Sequence, residues 1–204
     1  MKHLGLICLL MLSAISVSFG QSSEMDERFR KADAQISKVS KQAIFHPELI
    51  VKALTEDLDN DFDKARALFG WAAINIDYDL YAFQNDIQDG QSVNQVLRSG
   101  KALCSGYSLL YTYFADLAGL EAVVVEGYAK GFGYEEGQEF EETNHAWNAI
   151  KIDGSWYLLD VTWAAGDPTA LARHQKKVDL NTFFLSDPKE FSKTHCLKIL
   201  PGNY

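Results

Sequence analysis

Basic residues are scarce in this chain: 19 lysines and arginines face 28 aspartates and glutamates, a formal charge of -9. That balance excludes a nucleic-acid binder, which needs a basic surface to displace phosphate counterions. Cysteine is scarcer still, three in 204 residues, too few for a disulfide scaffold. There is no internal repeat and no low-complexity stretch, and after the first twenty residues no apolar run is long enough to span a bilayer. What is present is a globular composition, 47% hydrophobic with 12% aromatics, which rules out a disordered chain. The length suits one compact domain with a modest extension.

The first twenty residues stand apart. Lys2 and His3 precede an apolar stretch, Leu4 to Leu12, and small and polar residues then lead to Ser18, Phe19 and Gly20. A basic start, an apolar middle and small residues at the -3 and -1 positions describe a secretory signal cleaved before Gln21. The run falls short of the ~20 apolar residues of a membrane anchor. Ile7 stands before Cys8, where a lipoprotein signal wants a small residue, so lipidation is not expected. The expectation is an exported, soluble protein, periplasmic or extracellular, with no membrane span in the mature chain.

The remaining pattern changes period midway. Glu24 to Lys41 is polar and helix-favouring. Pro47 opens a helix with Leu49, Ile50, Leu54 and Leu58 at helical spacing, and Asp61 to Ile76 carries the stripe Phe62, Ala65, Leu68, Phe69 and Ala72. Ser92 caps a short helix stopped by Gly100. After Cys104, the residues Leu109, Leu110, Tyr113, Phe114 and Leu117 predict a buried helix closed by Gly119. Strands follow: Glu121 to Tyr128, then Ala146 to Ile152 and Ser155 to Trp163, joined by a hairpin turn at Asp153-Gly154. Between them, 131–142 is a glycine-rich acidic loop. Thr182 to Leu185 reads as a further strand, and Asp187-Pro188 opens a last turn. Helices first and antiparallel strands after is an α+β order.

Cys104 stands just after a break and just before a buried helix. There a thiol feels the positive end of the helix dipole, which favours the thiolate. The unpaired N–H groups of that first turn suit an oxyanion, and Gly100 and Gly106 allow close approach. The hairpin turn supplies a partner. With Ile152 opposite Ser155, His145 falls opposite Thr162 and Trp147 opposite Asp160, so residues 145, 147, 160 and 162 share one face. His145 and Asp160 become diagonal neighbours, a base and the carboxylate that orients it. The helix that begins at Cys104 is expected to pack on that face.

Three segments also carry a resemblance: Gly-Lys-Ala-Leu-Cys-Ser-Gly-Tyr (100–107), Asn-His-Ala-Trp-Asn (144–148) and Gly-Ser-Trp-Tyr-Leu-Leu-Asp-Val-Thr-Trp (154–163). They resemble the signature blocks of the transglutaminase-like superfamily, in particular its kyphoscoliosis-peptidase-like group. The segment from Trp71 to Asp79 resembles that group's helix upstream of the nucleophile. The likeness runs from about Asp61 to His195. It implies a papain-like, transglutaminase-like α+β core, a nucleophile helix packed on a small antiparallel sheet, with Cys104 as nucleophile, His145 as base and Asp160 as orienter. Proteases, transglutaminases, deamidases and inactive members share this fold, so membership alone does not select an activity. The expected division is a signal (1–20), an N-terminal helical segment (21–60) and a catalytic domain (61–204). Many relatives continue beyond the position of Tyr204, so a substrate-binding extension is expected to be absent. The second oxyanion donor is open between Tyr78 and Trp71.

Other signals point less far. Asp57, Asp59, Asp61 and Asp63 alternate like a calcium loop, but Phe62 stands where an EF-hand needs glycine and Leu68 where it needs glutamate. They are read as solvated helix-start aspartates. Glu135, Glu136, Glu139, Glu141 and Glu142 read as a solvated loop. His46, His174 and His195 show no metal-ligand spacing with one another or with cysteine, so no metal is expected. Cys196 is read as an incidental free thiol, with pairing to Cys104 as the alternative. Trp147, Trp156 and Trp163 are expected around His145 and Asp160. The reading that follows is an exported cysteine hydrolase without cofactor, acting on a protein or peptide substrate, cell-envelope peptides included. A non-catalytic peptide-binding module and an amine-accepting transamidase are the alternatives.

Overall fold

The structure is a computed structural model that describes residues 22–40, 43, 45–87, 91–131, 134–138, 140–167 and 176–197. The expected signal segment, with Cys8, and His174 lie outside the described residues, as does Glu139 of the acidic loop.

The chain begins with helices. Helix α1 (Ser22–Ile36) is followed by α2 (Pro47–Thr55), with proline in its first turn, and α3 (Asp61–Asn75), whose N-cap Asn60 accepts from the Asp63 N–H. Helix α3 is the central post of the core: Ala65, Leu68, Phe69, Trp71 and Ala72 are all buried. The N-terminal helix docks firmly on it. Phe29 and Ala32 are buried, and Arg66 of α3 grips Asp33 through Nε at 2.8 Å and Nη2 at 3.1 Å. The same guanidinium donates to Leu180 O and Asn181 Oδ1 and lies over the Phe29 and Phe184 rings at 4.8 and 5.3 Å. One buried arginine thus joins α1 and the segment 180–184 to the core. The alternating aspartates have partners: Asp57 with Lys38, Asp59 with Lys31, Asp61 with Lys64, and Asp63 with the Asn60 amide.

Strand β1 (Asp77–Tyr78) leads to α4 (Leu80–Gln84). Helix α5 (Val93–Ser99) carries a full capping box between Ser92 and Gln95, and its C-cap Gly100 sits at φ 65°. Strand β2 (Lys101–Ala102) pairs in parallel with β1, which sets Tyr78 beside Ala102, two residues before Cys104. Helix α6 (Cys104–Leu117) then runs through the core, with Leu110, Tyr111 and Phe114 buried and Leu109 and Leu117 turned outward.

A four-stranded antiparallel sheet covers the helices in the order β5–β4–β3–β6. It comprises β3 (Glu121–Ala129), β4 (His145–Ile152), β5 (Ser155–Leu159) and β6 (His195–Leu197). Asp153 and Gly154 join β4 to β5 with φ of 51° and 78°, the two positive values of a type I′ turn. Asn148 fastens the sheet to α6, its Nδ2 donating to Ser108 O at 3.0 Å and lying 2.9 Å from Thr112 Oγ1.

Three expectations need correction. Strand β5 ends at Leu159, and the chain turns into helix α7 (Val161–Ala164), so Thr162 never pairs with His145. Helix α6 packs on the face of β4 that carries Asn148, opposite to the face of His145 and Trp147, because the even-numbered residues 146–152 are the ones that bury the helices. The run Thr182 to Leu185 is turn rather than strand. Asp179 accepts from the Asn181 and Thr182 N–H groups and curls the chain, leaving only an isolated bridge between Ser186 and Leu158. Asp187-Pro188 does open a last helical turn, α8 (Pro188–Phe191). No helix among the described residues is long and apolar enough to cross a membrane.

Candidate active site

The N-terminal end of α6 is prepared before any side chain acts. Its N-cap, Leu103, offers no side-chain cap, so the Cys104, Ser105 and Gly106 N–H groups lack helical partners. Gln91 secures the approach by accepting from the Leu103 N–H at 2.8 Å. Its carboxamide fills the space where a Cβ on residue 106 would stand, 2.3 Å from Gln91 Oε1, so any larger residue there would displace the Gln91 side chain. Cys104 itself is a free, half-buried thiol.

His145 begins β4, and its Nε2 lies 2.7 Å from Asp160 Oδ2. The thiol of Cys104 is within hydrogen-bonding reach of the same imidazole. With Nε2 occupied by the carboxylate, Nδ1 is the nitrogen left for the sulfur. The structure therefore brings Cys104, His145 and Asp160 together, by a route the hairpin register did not foresee. Asp160 is not a strand neighbour of His145 but the N-cap of α7, its Oδ1 accepting from the Trp163 N–H at 2.9 Å.

Burial alone would push the His145 pKa down. The negative charge and hydrogen bond of Asp160, with a smaller contribution from Cys104, outweigh it and raise it to about 10. Burial pushes Asp160 the other way, but its bonds to His145 and to a second histidine hold it below the usual carboxylate range.

That second histidine is His195, which spacing alone had set aside. Its Nε2 lies 3.1 Å from Asp160 Oδ2 and its Nδ1 is hydrogen-bonded to the Thr194 hydroxyl at 2.9 Å. Strand β3 explains the meeting. It pairs Gly127 with His145 on one side and Ala129 with His195 on the other, so both imidazoles project from the same face. The ligand atoms of His145, Asp160 and His195 lie within 4.8 Å of one another, so this set could also hold a metal ion.

Of the three expected tryptophans, Trp147 and Trp163 flank His145 with ring centres at 6.0 and 5.9 Å. Trp156 is 48% exposed and lies beneath Lys151 instead. Trp71 packs on Phe114 inside the core. Tyr78 lines the cavity beside His145, where burial, followed by the negative charges of Cys104 and Asp79, keeps its phenol protonated. That cavity, about 520 Å³, is walled mainly by Tyr78, Leu80, Phe83, Trp163 and Phe183.

The profile of the Transglutaminase-like superfamily matches residues 49–161. The chain is 33% identical over 177 residues to kyphoscoliosis peptidase of Mus musculus, an alignment covering 86% of this chain and 26% of that protein. It is 28% identical over 168 residues to Lim and transglutaminase domain protein ltd-1 of Caenorhabditis elegans, covering 74% and 23%. A solved structure described as a TGase overlaps 69% of this chain and 38% of its own at a TM-score of 0.45 and 21% identity. The chain thus spans about a quarter of the length of these two relatives.

Proposed function

The chain belongs to the transglutaminase-like superfamily, and on that premise we propose that it is an exported cysteine hydrolase of peptide or glutamine-type amide bonds. The observation that carries this reading is the 2.7 Å bond between His145 Nε2 and Asp160 Oδ2, which leaves Nδ1 to the Cys104 thiol. His145 takes the thiol proton, and the thiolate attacks the amide carbonyl. The first-turn N–H groups of α6 receive the developing oxyanion, with the protonated Tyr78 as the side-chain donor. His145 returns its proton to the leaving amine, and the C–N bond breaks to give a Cys104 thioester. A water that loses its proton to His145 attacks the thioester, and the released thiol recovers that proton. Asp160 holds the imidazole throughout.

The cavity sets Leu80, Phe83, Trp163 and Phe183 beside the polar Lys130, Asn144, Thr162 and Asp167, and its apolar walls favour an apolar side chain beside the scissile bond. The name of the mouse relative, a peptidase, agrees with peptide cleavage. Export rests on the pattern of Lys2 to Gly20. The test is turnover of a peptide library by residues 21–204, with Cys104→Ala as control. Cleavage beside apolar residues that Cys104→Ala abolishes is expected. Incorporation of an added amine in place of water would make the protein a transamidase. No turnover together with a thiol no more reactive than a free cysteine would make it a binding module.

A further inference from the structure

Asp160 accepts more hydrogen bonds than orienting His145 requires. Its carboxylate is fully buried, with Oδ1 taken by the Trp163 N–H and Oδ2 shared by two imidazoles. The second imidazole sits in a built site. His195 is 3% exposed, stacks on Phe191 with ring centres 3.9 Å apart and planes at 15°, and packs against Trp163 at 4.4 Å and Trp147 at 5.1 Å. An aromatic box of this kind would accept an apolar side chain, and a buried polar group there carries a desolvation cost. What a histidine adds is one N–H aimed at Oδ2.

The geometry of that N–H decides its use. A carboxylate turns readily about its last torsion. With the Trp163 N–H on Oδ1 and His195 on Oδ2, both oxygens of Asp160 are fixed by groups other than His145. The acceptor that His145 meets is therefore pre-aimed, and so is the Nδ1 it turns toward Cys104. Besides the two histidines, Tyr107 of α6 faces this carboxylate, and Cys104 of the same helix meets His145.

We propose that His195 is a positioning residue that clamps Asp160 from behind and extends the site to a Cys104–His145–Asp160–His195 relay. This rests on the reading of Cys104 as nucleophile. A matched pair tests it in the full chain. His195→Gln keeps an N–H donor near the position of Nε2; His195→Met has similar length and no donor, so both lose the same ring packing. The readout is the rate at which iodoacetate alkylates Cys104, followed from pH 5 to 11 by the mass of the Cys104 peptide, because an anionic reagent senses the neighbouring imidazolium.

In the wild type the rate is expected to exceed that of a free cysteine and to fall on the alkaline side as His145 loses its proton. His195→Met should cut the neutral rate about tenfold, and His195→Gln should restore most of it. A pair that behaves alike, reactive or unreactive, folded or not, makes His195 a packing residue and overturns the proposal. A wild-type thiol no faster than free cysteine overturns the nucleophile reading instead. A wild-type rate that changes on EDTA treatment and is reversed by zinc makes these side chains a metal site and overturns the clamp.

Discussion

Replacing Asp160 by asparagine separates what this carboxylate does for the fold from what it does for the chemistry. The substitution keeps Oδ1, so the cap on the Trp163 N–H survives, but it sets an NH₂ group against the imidazole N–H groups of His145 and His195. Two charge-assisted hydrogen bonds are lost, at about 1.5–3 kcal/mol each. Against this, the variant no longer buries a carboxylate, whose desolvation costs several kcal/mol. The two effects are of similar size, so the fold is expected to survive.

Reactivity is expected to follow a different course. With the charge of Asp160 gone, the burial that depresses the His145 pKa is opposed only by the smaller contribution of Cys104. The imidazole then falls from about 10 to near or below its ordinary ~6.5. At pH 7.5 a base of pKa ~10 is more than ~99% charged, and one of pKa ~6.5 only about 10%. The thiolate–imidazolium pair should lose at least a factor of about ten in population. Iodoacetamide labelling of Cys104, read from the mass of its peptide, measures this directly, with circular dichroism as the check on folding. A folded Asp160→Asn protein labelled within twofold of the wild type across pH 5–10 would refute the assignment of His145 as a base supported by Asp160.

Three further outcomes are expected. Tyr78→Phe should lower turnover of a cleaved peptide at least tenfold, in line with loss of an oxyanion donor, while leaving iodoacetamide labelling within twofold; equal losses in both would place Tyr78 on the thiol rather than on the oxyanion. Gly127→Ala would set a Cβ 2.3 Å from Cys196 O and 2.4 Å from the Trp147 ring, an overpacking cost of about 1–3 kcal/mol, so a melting temperature lower by about 5 °C is expected and an unchanged one contradicts the packing. The His145–Asp160 pair also fixes a pH window. His145 is raised from 6.5 to about 10, so its contribution is full below pH 6.5 and fades as pH rises through 10; Asp160 is depressed below 3.8, so its contribution is present above 3.8 and fades as pH falls. Melting temperature should therefore be highest between those limits, and His145→Gln should flatten the alkaline decline.

Local chemistry explains which elements were legible in the sequence. The Ser92 N-cap, the Gly100 and Gly119 stops and the Asp153-Gly154 turn are each decided within a few residues, and each stands where it was read. The errors also came from local competition. Asp160 lies in an alternating run that continues the strand pattern, but its carboxylate bonds its own backbone three residues on and starts a helix, the preference that disfavours aspartate within strands. Asp179 does the same to Thr182, inside a run whose aromatic and β-branched residues suggest a strand. His145 and Asp160 meet because the hairpin carries the chain back past the start of β4, and that much the turn did establish.

His195 was hidden for a different reason. It is 35 residues from Asp160, in a strand of three residues too short to show a period. Its clue lies in another strand. In the run Glu121 to Ala129, β-branched valines give way at positions 127 and 129 to the two smallest residues, Gly127 and Ala129. Residues two apart on a strand share a face, so two small ones in succession leave a hollow on that face, and a close-packed interior fills such a hollow with bulk from its neighbours. Here Trp147, His145 and His195 fill it. A hollow in β3 beside the strand that starts at His145 predicts that a large side chain from elsewhere in the chain comes to rest against that histidine. The identity of that side chain is a matter of chemistry: an aromatic box needs only a ring, and the unshared lone pair of a buried carboxylate calls for a ring that carries an N–H.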